Sequence, residues 1–543
     1  MKRRDYLLIA LLSLLGLAPW SYAQLEDYRA YRFFDLSGGL NDTAESTQVA
    51  ANEASRLQNF IFSTSGSIER REGFTQINSS AIGATAVFTG LAYYKQSDGD
   101  RFLVGTVSNG SSDAIYKMDY SGTTAPDGTW DTISSSVVIA ITDDTLADFA
   151  TVQDVLIIED GYGLSPPQVW TGTGDITSLQ ASDADVPNAS MVEFHKRILW
   201  AAGDDAAKSE VSFSNLDAYA TWTATDTILV ETDDGQAITG LKSALDCLYV
   251  FKSESIWRIC GADRDNLYLE QMVKGIGAAS NQSIALINNQ FIFVTNQGNI
   301  VVYDGGITVQ TLSSKINGTL RSLNPSRFRK VVATSFDDGT GDEDYYACVS
   351  LEGAGTHTRL LFYDTLHKAW SVFAGISCNA LAVMEVNTSQ KALVFGDYAG
   401  RANRYPDGDT DAGSAIIAFF QSGDHQFGDI PQEKTFRDLQ LFARDEGNDR
   451  VAGFRFQVDF GGEVTTSGTA DLAGAGAVYD TAVYDTDTYA DGSTVIRRFP
   501  VDRTGDFLNW RVEQNDGLSP ILVRGVQAWV QAGGRLGELG DTE

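Results

Sequence analysis

The chain has 543 residues, a length typical of two to four domains, and 43% of them are hydrophobic, which is enough for well-packed cores. Its 72 acidic residues outnumber its 40 basic residues and give a formal net charge of −32. Such a charge repels nucleic acid, so we do not expect this chain to bind DNA or RNA tightly. The 52 glycines beside only 10 prolines indicate many tight turns rather than low-complexity disorder.

Residues 1–23 have the pattern of a secretory signal peptide. Lys2, Arg3 and Arg4 precede an apolar run, Tyr6–Leu17, and Ser21–Ala23 forms a small-x-small cleavage site before Gln24. The alternative is an uncleaved apolar helix that packs on the protein. The run is short for a membrane-spanning helix, and no other stretch comes near that length, so we expect no stable membrane insertion.

Residues 24–79 contain short elements separated by glycine turns. Gly38 and Gly39 predict a turn, Asn52–Gln58 a short helix, and Asn59–Phe62 a strand. Gly66 would then turn the chain into a second strand, Ser67–Arg71. We expect this N-terminal segment to close the domain that follows it.

Residues 80–410 contain seven predicted β-hairpins. In each, β-branched and aromatic residues flank a turn or loop, and an aromatic residue lies near the middle or end of the second strand. The first strands are about 43 to 55 residues apart, which matches a propeller blade of about 40 to 50 residues. The paired strands are Arg101–Val107 with Ala114–Met118, Asp154–Ile158 with Gln168–Trp170, Arg197–Trp200 with Glu210–Phe213, Cys247–Lys252 with Ser255–Cys260, Gln290–Val294 with Asn299–Tyr303, Tyr345–Val349 with Arg359–Tyr363, and Lys391–Phe395 with Arg401–Tyr405.

This spacing predicts an all-β chain with a seven-bladed propeller over residues 80–410, with six blades as the alternative. An irregular all-β protein with hairpins at chance spacing is the competing interpretation. Within the propeller, Phe336–Asp344 is rich in aspartate and glycine and predicts a solvated loop tip inside a blade.

Asp407–Gly413 ends the repeat region. Its alternating aspartates could offer oxygens to calcium, but an EF-hand loop needs Gly at its sixth position and Glu at its twelfth. Ala412 and Ala418 stand there, so a polar interdomain linker is the favoured interpretation, and calcium at Asp407–Asp411 stays open.

Residues 415–543 contain long alternating strands such as Thr435–Arg444 and Ile521–Val530, which predict a C-terminal antiparallel β-sandwich. Between them, Val478–Tyr489 repeats Tyr-Asp. We interpret this repeat as an exposed loop or hairpin, or as a contact with a neighbouring subunit or fibre, since tyrosine is enriched at interfaces.

The sequence contains none of the catalytic motifs G-x-S-x-G, H-E-x-x-H, Walker A or the dinucleotide fingerprint. The four cysteines form no C-x-x-C pair, and the four histidines have no metal-ligand spacing. We therefore predict no catalytic, cofactor-binding or metal residues and no enzyme. A propeller glycosidase needs two carboxylates at a set distance, which spacing in a sequence does not reveal.

Two groups of motifs resemble one protein family. In residues 33–74 they are GGLN, NEA, LQNFIF and G-x-I-x-x-R-x-GF, and in residues 211–261 they are FSN, a tryptophan at Trp222, ITGL, LYVFK and SIWRICG. Their order resembles the tail hub or nozzle proteins of short-tailed bacteriophages, also called packaged-DNA stabilisation proteins. The ending Arg524–Arg535 is similar to the C-terminal strand of phage tail proteins.

The resemblance implies a structural virion protein of the β-propeller family with no catalytic residues. It implies a homo-oligomeric ring of six or twelve copies, most simply a hexamer, below the portal and head–tail adaptor. Such a ring retains packaged double-stranded DNA, lets it pass during ejection without specific binding, and docks tail fibres or spikes. The location would be the virion tail. The alternative, motivated by residues 1–23, is an exported, secreted or surface propeller that binds carbohydrate or protein.

Cys247 and Cys260 test both the predicted strand register of their hairpin and the cellular compartment in which the chain folds. If Ser253 and Glu254 form a two-residue turn, Phe251 faces Ile256 and Cys247 faces Cys260. Assembly of a virion in a reducing cytoplasm would leave adjacent thiols, whereas export would favour a disulfide. We predict adjacent, reduced thiols.

Overall fold

The computed structural model describes residues 28–532 apart from 110–113, 122–124, 134–140, 340, 387–389, 429–432, 446–450, 462–468 and 473–493. The leader-like residues 1–23 therefore lie outside the described residues. Among the described residues, no helix is long and apolar enough to cross a membrane.

Seven short strands precede the repeat region. They are β1 (Tyr28–Phe33), β2 (Gly39–Leu40), β3 (Glu53–Ala54), β4 (Arg56–Gln58), β5 (Phe60–Phe62), β6 (Ile68–Arg70) and β7 (Thr75–Gln76).

The first four sheets of the repeat region follow in chain order. Their strands are β8 (Val87–Lys95), β9 (Arg101–Ser108), β10 (Ala114–Ser121), β11 (Ala125–Pro126) and β12 (Asp131–Thr132); β13 (Asp148–Val152), β14 (Val155–Glu159), β15 (Gln168–Trp170) and β16 (Thr177–Ser178); β17 (Met191–His195), β18 (Ile198–Ala202), β19 (Glu210–Phe213) and β20 (Thr227–Leu229); β21 (Ile238–Ala244), β22 (Cys247–Lys252), β23 (Ser255–Cys260) and β24 (Tyr268–Lys274).

Three more sheets complete the repeat region. Their strands are β25 (Ala285–Ile287), β26 (Gln290–Val294), β27 (Ile300–Tyr303) and β28 (Val309–Thr311); β29 (Val332–Phe336), β30 (Asp344–Val349), β31 (Arg359–Asp364) and β32 (Ala369–Ala374); β33 (Ala380–Glu385), β34 (Lys391–Gly396) and β35 (Ala402–Tyr405), joined by β7.

Eight strands form the C-terminal region, and helices are few and short. The strands are β36 (Ala418–Gln421), β37 (His425–Gln426), β38 (Lys434–Arg444), β39 (Val451–Val458), β40 (Thr469–Asp471), β41 (Thr494–Gly505), β42 (Phe507–Gln514) and β43 (Leu522–Ala532). The helices of the described residues are α1 (Asn317–Arg321) and 3₁₀ turns at Ser46–Gln48, Leu179–Ala181, Arg264–Asn266, Asn281–Ser283, Ser313–Lys315 and Pro325–Lys330.

The seven antiparallel sheets are the blades of a propeller. Because each blade is covered by a neighbour on both faces, its second strand is buried along its length, as every residue of β14, β18, β22 and β30 shows. The predicted fold class, an all-β propeller of seven blades followed by an antiparallel sandwich, is confirmed, and the six-bladed alternative is not.

The ring closes with residues from both ends of the repeat region. The outer strand of blade seven is β7, which pairs Thr75 with Arg404 and Gln76 with Asn403. Blades seven and one are joined by a shared core and by Asn379, whose side-chain amide donates to the Phe88 carbonyl over 2.8 Å. The two ends of the propeller are thus held together by hydrogen bonds and by apolar packing.

The sandwich consists of two sheets in the orders β41-β38-β43-β6-β5 and β4-β36-β42-β39-β40, with β1 added beside β43 and β37 beside β42. Stacked aromatic rings fill the space between the sheets. Phe420 and Trp510 have ring centroids 5.4 Å apart, and Phe454 and Phe499 are 4.6 Å apart. The N-terminal strands β1, β4, β5 and β6 therefore belong to the sandwich.

Two expectations for the N-terminal segment need correction. It does more than close the propeller, because only β7 joins a blade. The predicted helix Asn52–Gln58 is wrong, since this stretch forms β3 and β4. In β4, Leu57 is buried while Arg56 is exposed, and the strand pairs with β36, so the two-residue period of a strand prevails here.

Candidate functional site

The N-terminal motifs of the family resemblance, in residues 33–74, lie where the sandwich contacts blades six and seven, whereas the motifs of residues 211–261 lie in blades three and four. Gly39 has φ +74°, and a Cβ there would lie 2.7 Å from the Trp370 nitrogen in the outer strand of blade six. At Gly73, a Cβ would lie 2.0 Å from the Thr410 carbonyl oxygen. These glycines let two backbones approach more closely than any side chain would allow.

Arg71 is the centre of this junction. Its buried guanidinium forms two hydrogen bonds of 2.8 and 2.6 Å with the Asp411 carboxylate. It also donates to the Asn59 side chain over 2.9 Å and to the Ala374 carbonyl over 2.9 Å. One side chain therefore joins the N-terminal segment, blade six and the segment that leaves blade seven.

Arg70 makes a second connection beside the first. It is fully buried and donates to the carbonyl oxygens of Asp409, over 3.1 Å, and Leu518, over 2.6 Å. Burial lowers the pKa of its guanidinium. Because Leu518 lies between the sandwich strands β42 and β43, Arg70 fixes a sandwich loop to the segment after blade seven.

The aspartates of the predicted linker are engaged by neighbouring protein groups. Asp407 accepts from Arg404 over 2.5 Å and from Thr75, Asp409 accepts from Ser519 over 3.0 Å, and Asp411 pairs with Arg71. Within the described part of the chain, no group of three or more His, Cys, Asp or Glu side chains is arranged to hold a metal ion.

The expected loop tip Phe336–Asp344 is shorter than its sequence predicts. Phe336 ends β29 and Asp344 begins β30, where its side chain is buried. Burial, with a smaller contribution from Asp364, raises the pKa of Asp344 to about 8. Only the residues between these strands form the loop.

A second group of charged residues lies at one end of the propeller axis, where the innermost strands begin. Asp148 and Glu159 face each other in blade two, and both are buried. Burial and the neighbouring carboxylates Asp160 and Asp148 raise the pKa of Glu159 well above its usual range. Burial also raises the pKa of Glu193, in blade three, to about 7, although Lys242 opposes the shift.

Contacts across the ring cover this end of the axis. Gln282, just before blade five, donates to the Ala147 carbonyl over 2.8 Å and to the Asp148 carboxylate over 3.1 Å. The Arg327 guanidinium, before blade six, lies 2.5 Å from the Asp144 carboxylate. Since blades two and five are on opposite sides of the ring, these side chains reach across the axis beside the buried Asp148 and Glu159 carboxylates.

The cysteines give one confirmation and one correction. Phe251 pairs with Ile256 and Leu248 with Ile259, so the predicted register is confirmed. The prediction of reduced thiols is wrong, because Cys247 is bonded to Cys260. Their Cα atoms are 4.6 Å apart, the spacing of a pair without ladder hydrogen bonds, which brings the sulfurs within bonding reach.

A second disulfide joins Cys348, in blade six, to Cys378, just before blade seven, with Cα atoms 6.0 Å apart. No described cysteine is free. This second pair could not be predicted from a local pattern, since it joins a strand to the connection between two blades. The predicted Tyr-Asp repeat, Val478–Tyr489, lies outside the described residues.

Sequence reasoning also missed the residues that matter most at the two charged sites. Asp411 and Arg71 are far apart in the chain, as are Gln282 and Asp148. For the Arg71–Asp411 junction, the sequence feature that could have predicted the pair was the Asp-rich linker together with the adjacent Arg70 and Arg71. No sequence feature could have predicted the Gln282–Asp148 contact, because a single carboxylate among 72 acidic residues carries no information about its partner.

Comparison with known proteins adds little beyond these observations. No family model and no curated protein matches the chain. Among solved structures, it is similar to the Neurospora crassa Pan2 WD40 domain (9% identity, 62% of this chain and 97% of that chain, TM-score 0.35). It is also similar to the N-terminal domain of Nup159 (10%, 66% and 99%, TM-score 0.36) and to an exo-β-1,3-galactanase from Phanerochaete chrysosporium (9%, 85% and 100%, TM-score 0.26). With TM-scores this low, the fold class rests on the chain's own sheets.

Proposed function

We propose that the chain is a structural virion protein, the subunit of a tail hub or nozzle ring below the portal and adaptor of a short-tailed phage. The observation that carries the proposal is the junction around Arg71. The N-terminal motifs that resemble the phage family lie there, and Arg71 connects them to blade six and to the segment that leaves blade seven. A subunit that must transmit force along a tail benefits from such a rigid connection between its two modules.

The chemistry of the rest of the chain supports a role without catalysis. The carboxylates Asp148 and Glu159 are buried beside contacts that reach across the propeller axis, so they offer little surface to a polysaccharide. The net charge of −32 suits a ring wall past which DNA slides, because arginines and lysines would hold it through its phosphates.

Self-assembly and DNA binding test this proposal in solution. We expect the mature chain, with its adaptor ring present, to sediment as a closed ring, most simply a hexamer. We expect no tight, salt-sensitive binding of double-stranded DNA by the isolated chain. A chain that stays monomeric beside the adaptor, or that binds DNA tightly at low salt, would contradict the proposal.

The second candidate is an exported or surface propeller that binds carbohydrate or protein. The disulfides Cys247–Cys260 and Cys348–Cys378 favour it, since disulfides persist in oxidising compartments. Thiol titration of the chain purified without reductant, together with sequencing of its N-terminus, distinguishes the candidates. A secreted protein would begin at Gln24 with no free thiol, whereas a cytoplasmically assembled protein would retain residues 1–23.

A further inference from the structure

A small cleft with a mainly apolar lining lies between the sandwich and blade six. Its volume is about 250 Å³, and its lining includes five leucines besides Val372 and Phe419. Leu351, Val372 and Phe419 are half-buried, so they leave apolar surface accessible to a ligand. Concave, mainly apolar recesses with a few polar groups are the usual form of a binding site in proteins. We call this recess the apolar cleft.

Two arginines in the lining have no carboxylate partner in the part of the chain that the structure describes. Arg56 is exposed, and its guanidinium lies 5.6 Å from the centre of the Phe419 ring. Arg359 is half-buried and donates to a neighbouring backbone carbonyl over 2.8 Å. The one carboxylate in the lining, Asp42, accepts hydrogen bonds from the nitrogen and the hydroxyl of Thr319 over 2.7 and 2.6 Å. The apolar cleft therefore offers two guanidinium groups to a ligand that is both apolar and acidic.

Two apolar segments of the chain lie outside the described residues, and their charges differ. Residues 533–543 contain Leu536 and Leu539, with three acidic residues beside a single arginine. The leader-like residues 1–23 are apolar as well, but they carry three consecutive basic residues near their start. Because opposite charges attract and like charges repel, the arginines of the apolar cleft favour the acidic segment over the basic one.

The C-terminal segment of the same copy starts too far away to fill the apolar cleft. Ala532 pairs with Lys434 at the end of the sandwich where β42 begins. Phe419 pairs with Glu513, six residues after the start of β42, which corresponds to about 20 Å along the strand, and it belongs to the other sheet, about 10 Å away. Leu536 is four residues beyond Ala532 and reaches about 14 Å at most. A segment that fills the cleft therefore comes from a neighbouring copy.

We propose that the apolar cleft of one copy binds residues 533–543 of a neighbouring copy. Leu536 and Leu539 pack against the apolar lining, and the acidic residues around them pair with Arg56 and Arg359. The contact joins two different surfaces, and repeated contacts of this kind close into a ring when the rotation between copies allows it. This inference rests on the proposed ring and names one contact that would connect its subunits.

Binding of a synthetic peptide to the full chain tests the contact. The tail variant, Leu536→Asp with Leu539→Asp, leaves the apolar cleft intact and removes competition from the chain's own segment. The probe is a fluorescein-labelled peptide of residues 533–543. We expect saturable binding to the tail variant in fluorescence anisotropy. Adding Arg56→Glu and Arg359→Glu to the tail variant should weaken this binding about tenfold or more, because like charges then meet at the cleft.

Two controls separate the apolar cleft from general effects of charge. Lys208→Glu with Lys274→Glu, added to the tail variant instead, changes the net charge equally at exposed positions of blades three and four and should leave peptide binding unchanged. A peptide with Glu538→Lys and Asp541→Lys should bind the variant with reversed arginines more tightly than the original peptide does, since the charges are complementary again. Near-ultraviolet circular dichroism and thermal unfolding identify any variant that fails to fold.

Sedimentation velocity shows whether the occupant comes from a neighbouring copy. The tail variant and a cleft variant, Arg56→Glu with Arg359→Glu in a chain with an intact C-terminal segment, each lack one half of the contact. An equimolar mixture, at concentrations above the Kd of the peptide, should contain a one-to-one complex that neither variant forms alone.

Three results would overturn the inference: a peptide that does not bind the tail variant, binding that is unaffected by the reversed arginines, or a mixture that stays monomeric. Cleft-dependent binding of a synthetic peptide of residues 1–23, in place of the peptide of residues 533–543, would make the leader the occupant. None of these measurements needs an assembled ring, so their failure does not contradict the proposed function. Absence of the chain from purified virions would contradict the function and leave the binding results unchanged.

Discussion

The junction around Arg71 and the carboxylates at the propeller axis both bury charge, but in different ways. At the junction, the charge of Arg71 is neutralised by Asp411, and its remaining donors have acceptors. At the axis, neither carboxylate oxygen of Glu159 has a hydrogen-bond partner among the described residues, and burial raises its pKa, which favours the neutral acid. Pairing preserves a charge in the interior, whereas protonation removes it. The ion pair at the junction therefore stabilises the fold as a charged pair. The contribution of the axis carboxylates to stability, in contrast, should depend on pH.

The largest expected effect comes from Asp411→Asn at the junction. The amide leaves the buried Arg71 without its counter-charge, and breaking a buried ion pair by removing one partner costs about 3–5 kcal/mol. Urea unfolding should show this loss in the free energy of unfolding. A loss below about 1 kcal/mol, as expected of an exposed pair, would contradict the account of the junction.

The corresponding substitution of a carboxylate by an amide at the axis, Glu193→Gln, should raise the free energy of unfolding at neutral pH instead of lowering it. The pKa of Glu193 is raised to about 7, so the native chain keeps a proton that the unfolded chain releases from about pH 4.5 upward. The stability it provides is present below pH 4.5 and is lost as the pH rises towards 7, by up to about 3 kcal/mol. The variant should remove this dependence.

Unfolding of the wild type and Glu193→Gln at pH 5 and pH 8 measures this effect. Glu159→Gln should shift stability in the same direction, because the pKa of Glu159 is also raised by burial. If either amide lowered the free energy of unfolding at pH 8, the carboxylate would be ionised and paired, and the contrast with the junction would fail.

A smaller effect is expected from Gln282→Ala, which removes the two hydrogen bonds that cross the axis. Their loss costs about 1–3 kcal/mol and exposes Ala147 and Asp148 to more solvent. Hydrogen exchange should become faster at the start of blade two and remain unchanged at β6, beside the junction. Equal acceleration at both places would show that the two regions are not independent.

The smallest effect is expected from Arg197→Ala, which breaks the exposed pair with Asp217 in blade three. Surface ion pairs contribute about 0–1 kcal/mol, so the free energy of unfolding should hardly change. This variant is the matched control for Asp411→Asn. A loss as large as that of Asp411→Asn would mean that burial does not explain the difference.

The propeller could be predicted from the sequence because its signal is local and repeated. Each hairpin carries its own strand pattern, and the register around Ser253 and Glu254 followed from turn length alone. The tight turns themselves were harder to predict. Both central residues have positive φ in the turns Gln153–Asp154, Lys196–Arg197 and Leu245–Asp246. None of these turns has the Asn-Gly or Asp-Gly sequence that such a conformation favours. Packing of neighbouring blades holds these turns against their local preference.

The remaining features depend on contacts between distant segments. The sandwich draws β1, β4, β5 and β6 from the N-terminus, and β4 was predicted as a helix because its pairing with β36 is not visible in a local pattern. The disulfide between Cys247 and Cys260 was missed for another reason. Its geometry was predicted, but the expected compartment argued for thiols.

The proposed role, a ring subunit of a phage tail, is tested most directly by electron cryomicroscopy of phage particles purified from cells that carry the gene for the chain. We expect density for the seven-bladed propeller and its sandwich in a closed ring around the DNA exit channel, directly below the portal and adaptor. Particles that lack the chain, with the chain recovered instead from the culture medium as a monomer beginning at Gln24, would contradict the claim.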